Sequence, residues 1–120
     1  MTQFDKRNLS MMMDFYEMTM SYGYFRQTHS DVRVAFDLFF RSVPDKGGYA
    51  VFAGLEHVIE FVENLSFSDE DIDYFRAQNL FSEEFLSFLR GFRFRGDIYA
   101  VPEGTIIYPN EPLMTIVAPI

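Results

Sequence analysis

Cysteine and tryptophan are both absent from the 120 residues. Without a thiol the chain can form neither a disulfide nor a thiolate metal site. Positive charge is scarce as well: Lys+Arg 10 against Asp+Glu 18 leaves a net −8, and such a surface gains nothing from meeting a duplex or an anionic membrane. No uncharged apolar run approaches the roughly 18 residues that a spanning helix needs. The opening MTQFDKRNLS lacks the apolar stretch of a secretory signal. Nucleic acid and membrane are therefore poor partners, and a cytoplasmic location is the default expectation. There is no internal repeat, low-complexity tract or linker, so organisation must be read from changes in hydrophobic period.

Apolar material is plentiful, at 48% of residues, with 18% aromatic and Phe 15. A chain of this length and composition is expected to make one compact domain around one core. Asn8 or Ser10 can cap a first helix running to about Arg26, with Leu9, Met12, Phe15, Tyr16, Met18, Tyr22 and Phe25 spread around most of its circumference. From Val32 to Arg41 the period switches to two, which predicts a strand with Val32, Val34, Phe36, Leu38 and Phe40 on one face. Pro44 to Gly48 supplies turn chemistry, and Tyr49 to Phe52 reads as a short buried strand before a helix over 54–63. Ser68 followed by Asp71 is a capping-box signature opening a third helix to about Ala77. A fourth helix is expected from Ser82 to Arg90, with Gly91 as a left-handed terminus. Strands at 97–101, 105–108 and 113–118, separated by two proline-containing turns, predict successive hairpins. The fold class is α+β, a mostly antiparallel sheet with helices packed on one side.

The common catalytic constellations are missing. Gly47 and Gly48 stand without the Lys and Ser or Thr of a phosphate loop, and read as a turn. His29 and His57 have no His or Cys at metal-ligand spacing. The acids Asp69, Glu70, Asp71 and Asp73 lack Ca2+-loop spacing and suit a solvated helix start. The segment Asp14, Phe15, Tyr16, Glu17 places an acid and a phenol within one turn of an otherwise apolar helix. Composition favours a core tyrosine with its hydroxyl bonded to backbone, and a ligand-facing ring is the alternative. Arg41 is either plain surface or a guanidinium shaped to grip a phosphate through two hydrogen bonds.

Five stretches, in order through nearly the whole chain, carry a resemblance. They are Asp14-Phe15-Tyr16-Glu17-Met18-Thr19-Met20, Phe36-Asp37-Leu38-Phe39-Phe40-Arg41, and Gly48-Tyr49-Ala50-Val51-Phe52-Ala53-Gly54-Leu55-Glu56, then the acidic helical stretch Asn64 through Arg95. The fifth pairs Gly96 to Gly104 with Pro109-Asn110-Glu111-Pro112-Leu113. Together they resemble the amino-terminal domain of nicotinate phosphoribosyltransferases, members of the type II phosphoribosyltransferases. Met13 departs from the pattern, since many relatives carry Thr before the Asp.

The resemblance implies a longer enzyme that joins nicotinate and phosphoribosyl pyrophosphate, giving nicotinate mononucleotide and pyrophosphate in NAD salvage. ATP hydrolysis would drive it and Mg2+ would assist, with neither cofactor bound by this chain alone. It also implies an α/β barrel beyond Ile120 holding the phosphorylated histidine and the ribose-phosphate loops, and a homodimer with a shared active site. No catalytic residue and no metal ligand is then expected within these residues, and the isolated chain should be inactive. Tyr16 matches the tyrosine that stacks on the pyridine ring held by the other subunit. Arg41 matches an arginine that reaches a phosphate of the ribosyl donor, and Asp14 would orient the patch. Nicotinamide or quinolinate phosphoribosyltransferases, or a non-enzymatic interaction domain, are the alternatives.

Overall fold

The structure, a computed structural model, describes residues 8–27 and 32–120. It is α+β, with every strand pairing antiparallel. The described residues divide into two compact units, one drawn from Met1–Ser30 and Glu60–Phe94, the other from Asp31–Ile59 and Arg95–Ile120. Where the length predicted one core, the buried side chains gather in two clusters.

The first unit is helical and contains α1 (Phe15–Gln27), α3 (Asp69–Ala77) and α4 (Glu83–Arg90). Its core is Met18, Phe67, Ile72, Phe75, Phe85, Leu86 and Leu89. On α1, Phe15, Met18, Tyr22 and Phe25 recur at intervals of three and four, which puts them on one face. That face meets an aromatic row. Tyr22 lies 5.1 Å from Phe85, Phe25 5.2 Å from Phe85 and 5.2 Å from Phe88, and Phe15 stands edge-on to Phe81 at 6.1 Å. Each such pair is worth about 0.5–1.5 kcal/mol beyond the area it buries.

Several helix ends follow the expectation. Ser68 and Asp71 form the full capping box, and Ser82 Oγ accepts from the Phe85 N–H. Others do not. Helix α1 begins at Phe15 because Asn8 and Ser10 are used elsewhere. Asn8 Oδ1 accepts from the Ser10 N–H and Oγ–H, Asn8 Nδ2 donates to the Ser66 carbonyl, and buried Ser10 accepts from the Ser66 N–H. These polar groups tie the segment before α1 to the loop before α3. Gly91, expected left-handed, has φ −89°. The left-handed position instead falls to Asn79 after α3, at φ 56°, where its side-chain amide donates to the Ala77 carbonyl.

The second unit holds a three-stranded sheet in the order β1 (Arg33–Leu38), β5 (Met114–Pro119), β3 (Asp97–Ala100), a two-stranded ribbon of β2 (Ala50–Val51) and β4 (Ile106–Ile107), and the start of α2 (Leu55–Asn64). The register sets Phe36 opposite Ile116 and Ile116 opposite Ile98, so these side chains share a face. The reverse face carries polar pairs: Thr115 Oγ1 donates to Asp37, and Arg33 pairs with Asp97 across β5 at 3.0 Å. Phe52, Ile107, Leu113 and Met114 form the buried cluster, joined by Leu55 and Val58 of α2. Phe52 is thus buried as expected of its stretch, whereas its neighbours Tyr49 and Val51 are exposed.

The successive hairpins expected from the last quarter do not form. The N–H of Gly104 donates to the Phe52 carbonyl, and the N–H of Phe52 donates to the Thr105 carbonyl. The segment leaving the 102–104 turn is thereby committed to β2, and β3 pairs with β5 instead. The same turn carries Glu103, whose two carboxylate oxygens accept from the N–H groups of Gly54 at 2.6 Å and Leu55 at 3.0 Å, at the start of α2. Those bonds, Gly54 first, hold its carboxyl below the usual glutamate range, with a smaller contribution from His57.

Two outcomes follow for stability. Phe85→Ala is expected to lower the unfolding free energy by about 3–5 kcal/mol, read from the urea midpoint at constant slope; a loss below about 0.5 kcal/mol would remove Phe85 from the centre of its core. A carboxylate with a depressed pKa stabilises above its unfolded-state value, and that contribution disappears as pH falls through the folded-state value. Glu103→Gln should therefore lower the thermal midpoint at neutral pH, with the gap from the parent closing in acid. A gap that stays constant from pH 7 to pH 3 would show that charge on Glu103 is immaterial.

Candidate functional site

Helix α1 has an inward face and an outward one, and Tyr16 belongs to the second. Phe15 and Met18 turn toward the aromatic row, with Met18 only 3% exposed. At 100° per residue Tyr16 then points away from that core, and it is 60% exposed. The reading of Tyr16 as a core residue is overturned, because the core-facing positions of this helix are filled by its neighbours.

The turn that carries Tyr16 is tied at several points. The Glu17 N–H donates to the Asp14 carbonyl at 3.0 Å, and the Asp14 N–H donates to Glu17 Oε2 at 3.2 Å. Thr19 Oγ1 donates to the Tyr16 carbonyl, and Ser21 Oγ donates to that of Glu17. Asp14 stands immediately before α1, exposed, and Asp14 and Glu17 line a shallow concavity of about 410 Å3 with Met11, Met12 and Met13. Met13 packs against the helical core.

Arg41 belongs to the other unit, and the strand expected to end at it stops three residues earlier, at Leu38. After Leu38 the chain keeps only single links: the Leu113 N–H donates to the Leu38 carbonyl and the Asn110 N–H to the Phe40 carbonyl. Arg41 is exposed in the bend that follows, before the turn at Pro44–Lys46. In that turn Asp45 and Lys46 take positive φ, while Gly47 is extended, and a side chain there would meet Val43 at 2.9 Å.

The acidic stretch is structural. Asp71 completes the capping box, Asp69 pairs with Arg90 at 2.9 Å, and Arg76 sits between Asp73 and Glu83. The hydrogen bond from Arg76 holds the Glu83 carboxyl low, and in return Glu83 is the main cause of a raised Arg76 pKa. Among the described residues no three His, Cys, Asp or Glu gather as metal ligands, and no helix is long and apolar enough to cross a membrane. His57 is exposed on α2, and His29 lies outside the described residues. Glu103 was missed as an important residue by sequence reasoning, since its partners Gly54 and Leu55 are some fifty positions away and only its place in a Pro-Glu-Gly turn marked it.

Comparison with known proteins gives these features a setting. The chain is 46% identical over 107 residues to a nicotinate phosphoribosyltransferase of Mycobacterium tuberculosis, covering 89% of this chain and 23% of that protein. A nicotinate phosphoribosyltransferase of Bacillus subtilis is 40% identical over 117 residues, covering 98% of this chain and 24% of its own length. The crystal structure of human nicotinic acid phosphoribosyltransferase superposes with a TM-score of 0.79 at 29% identity, over 89% of this chain and 22% of the human one. The chain thus spans about a quarter of the length of the curated relatives it matches. The sequence profile of the nicotinate phosphoribosyltransferase N-terminal domain matches residues 11–120, and the chain belongs to that family.

Proposed function

We propose that these residues serve as the amino-terminal domain of a longer enzyme that joins nicotinate to phosphoribosyl pyrophosphate. In the reaction the ring nitrogen of nicotinate bonds to the anomeric carbon of the ribose while the bond to pyrophosphate breaks, giving nicotinate mononucleotide and pyrophosphate for NAD salvage. The observation that carries this reading is the exposed ring of Tyr16, at 60%, within the residues 11–120 that match the family. An exposed phenol on a firmly packed helix is a flat surface offered to a flat ligand.

Tyr16 covers one face of the pyridine ring bound in the partner subunit of a homodimer, a contact worth about 0.5–1.5 kcal/mol beyond area burial. The Arg41 guanidinium meets phosphate oxygens of the ribosyl donor, where its planar fork can make two bonds at once. Asp14 orients the turn bearing the ring. None of the three makes or breaks a bond, and their contribution is positioning. ATP and Mg2+ would serve the full-length enzyme without being bound by this domain alone. On this reading residues 1–120 alone do not turn over, and the enzyme works in the cytoplasm.

In the full-length protein Tyr16→Ala should raise the KM for nicotinate about tenfold, with kcat changed less and the thermal midpoint unmoved. An unaltered KM would return Tyr16 to the ordinary surface. Arg41→Lys keeps the charge and loses the fork, so the KM for phosphoribosyl pyrophosphate should rise while that for nicotinate stays constant. Equal changes in both would argue against a phosphate contact.

A further inference from the structure

We infer that Glu17 is a positioning residue for Tyr16: its carboxylate closes the first turn of α1 onto the main chain of Asp14 and so sets the direction in which the phenol leaves the helix. The inference rests on the reading above, in which that phenol covers the bound pyridine ring. Its basis is the pair of links already described. Asp14 N–H to Glu17 Oε2, at 3.2 Å, and Glu17 N–H to Asp14 O, at 3.0 Å, enclose Phe15 and Tyr16 in a closed turn.

Tyr16 needs such a device. The first N–H groups of a helix have no partner within the helix, and an uncapped first turn frays. Packing restrains the helix through Phe15 against Phe81 and through buried Met18, but both lie on the inward face. Tyr16 points outward, so its ring direction is inherited from the backbone of a turn whose N-terminal side is held by Glu17. The carboxylate is also on the favourable end of the helix dipole. The requirement is for an acceptor at this atom, and a glutamine side-chain oxygen can supply one.

The test uses the full-length enzyme with Glu17→Ala, Glu17→Gln and Tyr16→Ala side by side. Glu17→Ala should raise the KM for nicotinate about three- to tenfold with kcat nearly constant, and should speed hydrogen exchange at the Asp14 amide. Glu17→Gln should restore both readouts. If Glu17→Ala leaves the nicotinate KM within about twofold while Tyr16→Ala raises it, the positioning role is overturned and the stacking role stands. If neither variant moves the KM, the stacking role itself fails and Glu17 falls with it. A glutamine variant as impaired as the alanine one would also overturn the inference, since loss of charge would then be the cause.

Discussion

The packing of one face of α1 against the aromatic row of α4 and Phe81 is the constraint from which the rest follows. Met18, Ile72, Phe75, Phe85 and Leu86 are almost fully buried, and Tyr22 and Phe25 close over Phe85 from above. Helix α1 is apolar around most of its circumference, so periodicity alone did not single out an inward face. Burial of Met18, with Tyr22 and Phe25 packed against the same core, chose it. Once that choice is made, the geometry of an α-helix leaves Tyr16, Met20 and Tyr24 outside, spaced four residues apart. The exposure of the tyrosine is therefore a consequence of where its neighbours went.

Polar groups perform the corresponding task at the ends of elements. Ser10 is buried and satisfied by Asn8 and Ser66, which holds the chain before α1 against the loop before α3. Glu103 satisfies two N–H groups at the start of α2, groups that would otherwise lack partners, and so joins the turn after β3 to the exit from β2. In the first case a hydroxyl and in the second a carboxylate replaces the hydrogen bonds that secondary structure cannot provide. Both couple segments roughly fifty residues apart.

Family membership and these observations point the same way. The family match runs over residues 11–120, and within it the first turn of α1 presents the Tyr16 ring outward and is tied by Asp14, Glu17 and Thr19. Arg41, on the second unit, sits beyond the last ladder bond of β1, in a bend where its side chain meets solvent. The acidic residues that might have suggested a cation site are occupied with helix capping and with Arg76 and Arg90.

Interactions within a few residues were legible before any coordinates. The Ser68 and Asp71 capping box, the Ser82 cap, the extents of α2, α3 and α4, and the two-residue period of β1 all depend on neighbours in the chain, and each was readable from spacing. Interactions that required a distant partner were not. Ser10 looked like a helix cap until Ser66 claimed it, β4 looked like half of a hairpin until β2 took its backbone groups, and Asn79 rather than Gly91 adopted the left-handed turn. Tyr16 shows the division most clearly: sequence placed a phenol and an acid within one helical turn, but the same pattern serves a core residue or a ligand contact. Only the fold decides which, because a side chain's exposure depends on what packs against the opposite face of its helix.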